Sequence, residues 1–193
     1  TAEPQTSQRG ADIEATLKRL TARAERLMQL ARAEGGRLNL DRASDLRDTL
    51  DVVIADMRRN EPAGRISLSR PDAPVMSAAD PDAVGILCRN LVENALRHGD
   101  QSSPVQVVLS PDGLLTVSND GPVVPAETLA RLTDRFERSG GAGRGSGIGL
   151  SIVSTIADRM GSRLTLKSPR PGSRTGFEAS VRLASAGSAG TRQ

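Results

Sequence analysis

Between Asp80-Pro81-Asp82 and Gly99 the chain carries an apolar stripe at Val84, Leu87, Leu91 and Ala95, spaced three or four residues apart. That spacing commits the segment to a helix buried along one face, and any fold of this chain has to cover it. The aspartates can cap its first free N–H groups, proline suits its first turn, and glycine ends it. On the shoulder of the stripe Asn90, Asn94 and His98 recur every fourth residue, with Arg97 three beyond Asn94. An asparagine at the edge of a core face is costly unless a partner or ligand satisfies it. Surface amides, followed by basic residues that complement the helix dipole, account for this segment equally well when it is taken alone.

The surrounding sequence alternates helix and strand signals. A helix is predicted over 45–59, with Leu46, Leu50, Val53, Ile54 and Met57 on one face. Strands are predicted over 65–69 and 74–78, and a hairpin joins 105–109 to 114–118 around Pro111-Asp112-Gly113. A short helix near 127–136, a helix over 150–160 and strands over 163–167 and 176–183 follow. This order predicts an α+β sandwich, one mixed or mostly antiparallel sheet with helices on one face. Ahead of it, Ile13, Leu17, Leu20, Ala24, Leu27 and Ala31 form a heptad seam that stops at Gly35-Gly36. Such a seam is expected to pair with a second helix or chain. The expected divisions are a lead-in over 1–10, the seam helix over 11–35, a main domain over 36–184 and a small polar tail over 185–193.

Composition narrows the chemistry. Phe136 and Phe177 are the only aromatics in 193 residues, which argues against nucleic-acid binding by base stacking. The formal net charge of +3 is spread along the chain, so neither nucleic acid nor a lipid surface is an expected partner. One cysteine, Cys88, and one histidine, His98, leave no internal disulfide and no multi-cysteine or multi-histidine metal site. Cys88 lies among apolar neighbours and is expected in the core of a protein from a reducing compartment. No run of about 18 apolar residues occurs.

Two further segments carry possible chemistry. Residues 139–149 are rich in glycine and lead directly into a helix, placing backbone N–H groups where an anion could sit. The segment lacks the Lys-Ser/Thr of a Walker loop, and no strand precedes it as in a dinucleotide fold. Val117-Ser-Asn119-Asp120-Gly121-Pro122 closes a strand, and can be read either as a plain turn or as a polar reader of a base edge.

Taken in order, RNLVENALRHG, NDGP, LTDRFERS, GRGSGIGL and GSRTGF resemble the N, G1, F, G2 and G3 boxes of the ATP-binding domain of sensor histidine kinases, in the GHKL superfamily. The likeness spans about residues 36–184, and LMQLARAEGG is similar to the second helix of the dimerisation and phosphotransfer domain. It implies a two-layer α/β sandwich of the GHKL type preceded by a long coiled-coil-like helix. It also implies ATP and Mg²⁺ as cofactors. Asn94, with Asn90 one turn earlier, would ligate Mg²⁺ through amide oxygens, and Arg97 and His98 would meet phosphate. Asn90, Asn94 and Arg97 would be the catalytic set. Asn119 would accept from the adenine amino group, Gly121 would admit the base, and Thr175 would lie nearby. Gly145, Gly147, Gly149 and Leu150 would form the lid hinge and phosphate cradle, with Arg138 on the lid and Phe136 packing it.

Some positions depart from the family pattern. Asn119 stands where an aspartate is usual, so the neutral acceptor is expected to cost about 1–2 kcal/mol of affinity. Asp120 ranks second because strand alternation turns it to the other face. Val123 replaces the second glycine of the G1 box, and Thr133 replaces the first phenylalanine of the F box. Asn90 occupies the place of the glutamate base in the superfamily's ATPases and serine kinases. It cannot take a proton, which favours transfer to histidine, whose imidazole already has a free lone pair. Glu93 is expected to face solvent. The H-box histidine does not occur here, so the chain is read as a fragment cut between the two dimerisation helices and unable to autophosphorylate alone. The implied partners are a response regulator receiver domain and a second kinase chain, in the cytoplasmic part of a membrane-anchored sensor without direct membrane contact. The alternative is a regulatory nucleotide-binding module with weak or no kinase activity.

Overall fold

The computed structural model describes residues 39–132 and 149–183. The heptad segment, the F box with Thr133, Phe136 and Arg138, the glycine loop through Gly145 and Gly147, and the tail lie outside the described residues. In chain order the elements begin with β1 (Asn39–Asp45), α1 (Leu46–Arg58), β2 (Ile66–Ser69), β3 (Met76–Ala79) and α2 (Pro81–His98). They continue with β4 (Val105–Leu109), β5 (Leu114–Asn119), α3 (Ala126–Arg131), α4 (Gly149–Arg159), β6 (Leu164–Lys167) and β7 (Phe177–Arg182). The main sheet has the order β2-β4-β5-β7-β6, with β2 and β4 parallel and every other pair antiparallel. It is therefore the mixed sheet of the expected α+β class.

A second, two-stranded ribbon is the correction to that expectation. β1 pairs antiparallel with β3 across a bulge between Asn39 and Ser44, a strand absent from the sequence-based expectation. Its sequence, NLDRASD, is polar and does not alternate, so only pairing with β3 makes it a strand.

The helices cover one face of the main sheet. Val105, Val107 and Leu109 of β4, Leu115 and Val117 of β5, and Phe177, Ala179 and Val181 of β7 are buried, while their alternate neighbours are more open. α2 lies at the centre, packed against α1, α4 and the strands β4 and β5. Only Asp82, Arg97 and His98 of its 18 residues are exposed. Because α2 is covered on so many sides, Glu93 is half-buried rather than turned to solvent. Cys88 is fully buried there, and desolvation pushes its thiol up to about 12.

Local chemistry fixes the helix starts. Asp45 caps α1 by accepting from the Arg47 N–H at 3.0 Å, and also accepts from Val75 N at 3.1 Å. Its carboxyl is held at about 2, chiefly by the Arg47 guanidinium hydrogen bonds. Asp80 caps α2 through Asp82 N at 3.1 Å, with Pro81 following. Arg89 ties α2 to Asp56 of α1 at 2.6 Å.

Candidate functional site

Three chain segments meet where β5 ends: the last turn of α2, the turn after Asn119, and the start of β7. Asp100 N donates to Asp120 O at 2.8 Å, and Gly176 N donates to Gly121 O at 2.8 Å. Glycines make this convergence possible. A Cβ on Gly99 would lie 2.5 Å from Ala95 O and 2.9 Å from Asn119 Cβ, although its φ of −78° suits any residue. A Cβ on Gly176, at φ +84°, would lie 2.5 Å from Asn119 O. Gly121 needs its φ of +153°, and a Cβ there would lie 3.3 Å from His98 O and 3.5 Å from Asn119 Nδ2.

Asn119 sits inside this cradle, 4% exposed. Its Nδ2 donates to Asp120 O at 2.9 Å, which leaves Oδ1 as the amide's other end. Oδ1 is buried and has no hydrogen-bond partner among the described residues. A buried acceptor left unmet costs about 1–3 kcal/mol, so the site is suited to a ligand that brings an N–H donor. An adenine amino group is such a donor, and the residues present fit it. Asp120, the second-ranked reader, instead turns its carboxylate to Arg170, with 2.8 Å to Nη2.

The amide-bearing shoulder of α2 leads up to this cradle. Asn90 is 3% exposed, and its Nδ2 donates to Ile86 O at 2.8 Å. Asn94 lies one turn later and is half-buried. Arg97 and His98 are exposed at the helix end, next to the glycine cradle. Partial burial of the His98 ring, and then the Arg97 charge, holds the imidazole below its usual 6.5. α4 packs beside α2 and starts at Gly149-Leu150, with Leu150 and Ser151 buried.

The expected residues are thus partly assembled. Asn119, Gly121 and the end of α2 come together, and Asn90 and Asn94 lie on the turns leading to them. Thr175 is exposed beside Gly176, its Oγ1 at 3.5 Å from Ser173 Oγ. Arg138, Gly145 and Gly147 lie outside the described residues. Two supporting residues were not anticipated. Arg170 pairs with Asp120, and Ser168 Oγ accepts from Val124 N at 2.9 Å while donating to Gly176 O at 2.8 Å. Both belong to a Ser-Pro-Arg-Pro-Gly turn whose sequence signals a turn and nothing of its long-range contacts.

Residues 79–185, more than half of the chain, match the family described as histidine kinase-, DNA gyrase B-, and HSP90-like ATPase. The chain belongs to that family. Sensor protein QseC of Escherichia coli K12 is 33% identical over 173 residues, covering 86% of this chain and 37% of that protein. Sensor histidine kinase TrcS of Mycobacterium tuberculosis is 30% identical over 176 residues, covering 86% of this chain and 35% of that protein. Among solved structures, the Acinetobacter baumannii histidine kinase AdeS has a TM-score of 0.67 at 16% identity, covering 90% of this chain and 82% of that chain. The mycobacterial sensor histidine kinase MprB has a TM-score of 0.63 at 23% identity, covering 75% of this chain and 97% of that chain. Within the family, then, this is the catalytic ATPase domain of the two-component sensor histidine kinases. The chain spans little more than a third of the length of these curated relatives. No helix among the described residues is long and apolar enough to cross a membrane.

Proposed function

We propose that this chain binds Mg²⁺-ATP and donates its γ-phosphoryl group to a histidine of a dimerisation helix, from which an aspartate of a response regulator receives it. The observation that carries the reading is the buried, unpartnered Oδ1 of Asn119 within a cradle of three glycines. Asn119 would accept from the adenine amino group there, Gly121 would let the base come close to backbone, and Thr175 would flank it. Asn94 and Asn90 would offer amide oxygens to Mg²⁺, donors of the hard type that ion takes. Among the described residues no group of three or more His, Cys, Asp or Glu could hold a metal. The ion would neutralise phosphate charge. Arg97, Arg138 and the backbone of Gly145, Gly147, Gly149 and Leu150 would add donors, and His98 would donate a hydrogen bond to a phosphate oxygen. Such a site works by position and charge stabilisation rather than by covalent chemistry of its own.

Asn90 supports histidine as the acceptor, because an amide cannot deprotonate water or a hydroxyl and imidazole needs no such base. In the same reading, residues 11–35 form the second dimerisation helix, 36–184 the catalytic domain, and the intact protein is a dimer facing the cytoplasm. The test is to mix the chain with γ-labelled ATP, Mg²⁺ and a separately expressed helix bearing the H-box histidine. Label on that histidine, abolished by Asn94→Ala, is expected. Nucleotide binding without transfer would instead favour the regulatory module, to which the neutral Asn119 gives some weight.

A further inference from the structure

We infer that Arg170 is a positioning residue for base recognition, acting through Asp120 to hold the Asn119 amide in its reading orientation; this rests on the nucleotide site proposed above. The Asn119 Nδ2 bond to Asp120 O at 2.9 Å fixes which end of the amide is left to accept from a ligand. That carbonyl is fixed by the Asp100 N–H at 2.8 Å from one side. The Asp120 side chain is fixed by the Arg170 guanidinium at 2.8 Å from the other. The stem of Arg170 is also committed, since its Cδ and Cγ stand 3.1 and 3.3 Å from where a Cβ on Gly176 would be. Its main chain is held as well: Arg170 N donates to Thr175 O, and Ser173 N donates to Arg170 O.

Ser168, two residues earlier, reaches the same region independently. Its hydroxyl links Val124 N to Gly176 O, closing the loop that follows the Asn119–Pro122 turn. The connection between β6 and β7 therefore clasps the base-reading turn at two points. Arg170 Nε is buried without a hydrogen-bond partner, a cost that an idle surface ion pair would avoid by staying in water. Nothing in the nucleotide chemistry requires Arg170 to touch substrate. Its effect is on how sharply the amide oxygen discriminates a base that carries a 6-amino group from one that does not.

The experiment measures, on the full 193-residue chain, the dissociation constants of ATP and of purine riboside triphosphate, which lacks the 6-amino group. In the parent chain ATP should bind about fivefold more tightly, the worth of one net hydrogen bond. Arg170→Gln keeps the stem length and removes the charge; Asp120→Asn removes the carboxylate with little change of shape. The Asp120 and Arg170 side chains are 39% and 32% exposed, so each variant should lower the ratio by about three- to fivefold. The double variant should lower it no further than either single one, and Arg170→Lys should retain most of it. A purely structural pair would lower the melting temperature and leave the ratio intact. An unchanged ratio in either single variant overturns the positioning role while leaving the nucleotide site standing. A parent chain that binds ATP without discrimination, or does not bind it, overturns both. Should Arg170→Gln fail to fold, Asp120→Asn alone decides.

Discussion

Replacing Asn119 by aspartate separates the two tasks of that side chain. Nδ2 donates to Asp120 O at 2.9 Å, while Oδ1 is buried and unmet. A carboxylate keeps the acceptor but sets a second oxygen against the Asp120 carbonyl, at a position only 4% exposed. Without nucleotide, losing that hydrogen bond and leaving its acceptor opposed should cost about 1–3 kcal/mol. For a domain of this size the melting temperature should fall by roughly 3–10 °C. With nucleotide the sign reverses. A charge-assisted hydrogen bond to the adenine amino group exceeds a neutral one by about 1 kcal/mol, or roughly fivefold in affinity. Asn119→Asp should therefore melt earlier when free and bind a non-hydrolysable ATP analogue more tightly. Asn119→Ala should bind it about fivefold more weakly with a smaller melting change, since it removes an unmet acceptor together with a donor. Isothermal titration and thermal melting without ligand supply the two readings. Affinity unchanged in both variants would refute the assignment of Asn119 to the base.

Other consequences concern the metal site, the glycine cradle and pH. Asn94→Ala should abolish Mg²⁺-dependent phosphorylation of an added H-box helix; full activity, read as acid-labile label, would remove Asn94 from the metal site. Gly176→Ala should destabilise the domain by about 2 kcal/mol or more, because its Cβ would fall 2.5 Å from Asn119 O at φ +84°; denaturant titration checks this. Acid should cost stability through Asp45, whose carboxyl falls from 3.8 to about 2 on folding. The folded state thus binds fewer protons, and its advantage is intact above about pH 5 and lost as pH falls toward 2. At a side-chain exposure of 13% the loss is on the order of 2 kcal/mol, and it should be absent in Asp45→Asn. Arg97→Gln should raise the His98 pKa toward 6.5, because the Arg97 charge is the second cause of its depression after burial; His98 is the only histidine, so one NMR resonance reports it.

Much of the scaffold was legible because its signals are local. Asp45, Asp80-Pro81 and Gly99 mark helix ends through capping chemistry that needs no tertiary partner, and the predicted α1 and α2 lie within a residue or two of those found. The β4–β5 hairpin announced itself through Pro111-Asp112-Gly113. β1 was hidden, since a polar strand without alternation becomes a strand only when β3 lies beside it. The burial of Glu93 was equally hidden, because it depends on how many elements crowd around α2. At the candidate site, the order of motifs singled out Asn119 and Gly121, and strand alternation ranked Asn119 above Asp120. The roles of Gly99 as a contact surface and of Arg170 as a clasp depend on chain segments brought together from up to 50 residues away, which periodicity cannot register.

The most direct test is a crystal structure of the whole chain with a non-hydrolysable ATP analogue and Mg²⁺. The adenine 6-amino group should lie within about 3 Å of Asn119 Oδ1, with the base edge against Gly121 and the phosphates directed toward Asn94. A nucleotide seated elsewhere, with Oδ1 still unmet, would contradict the account.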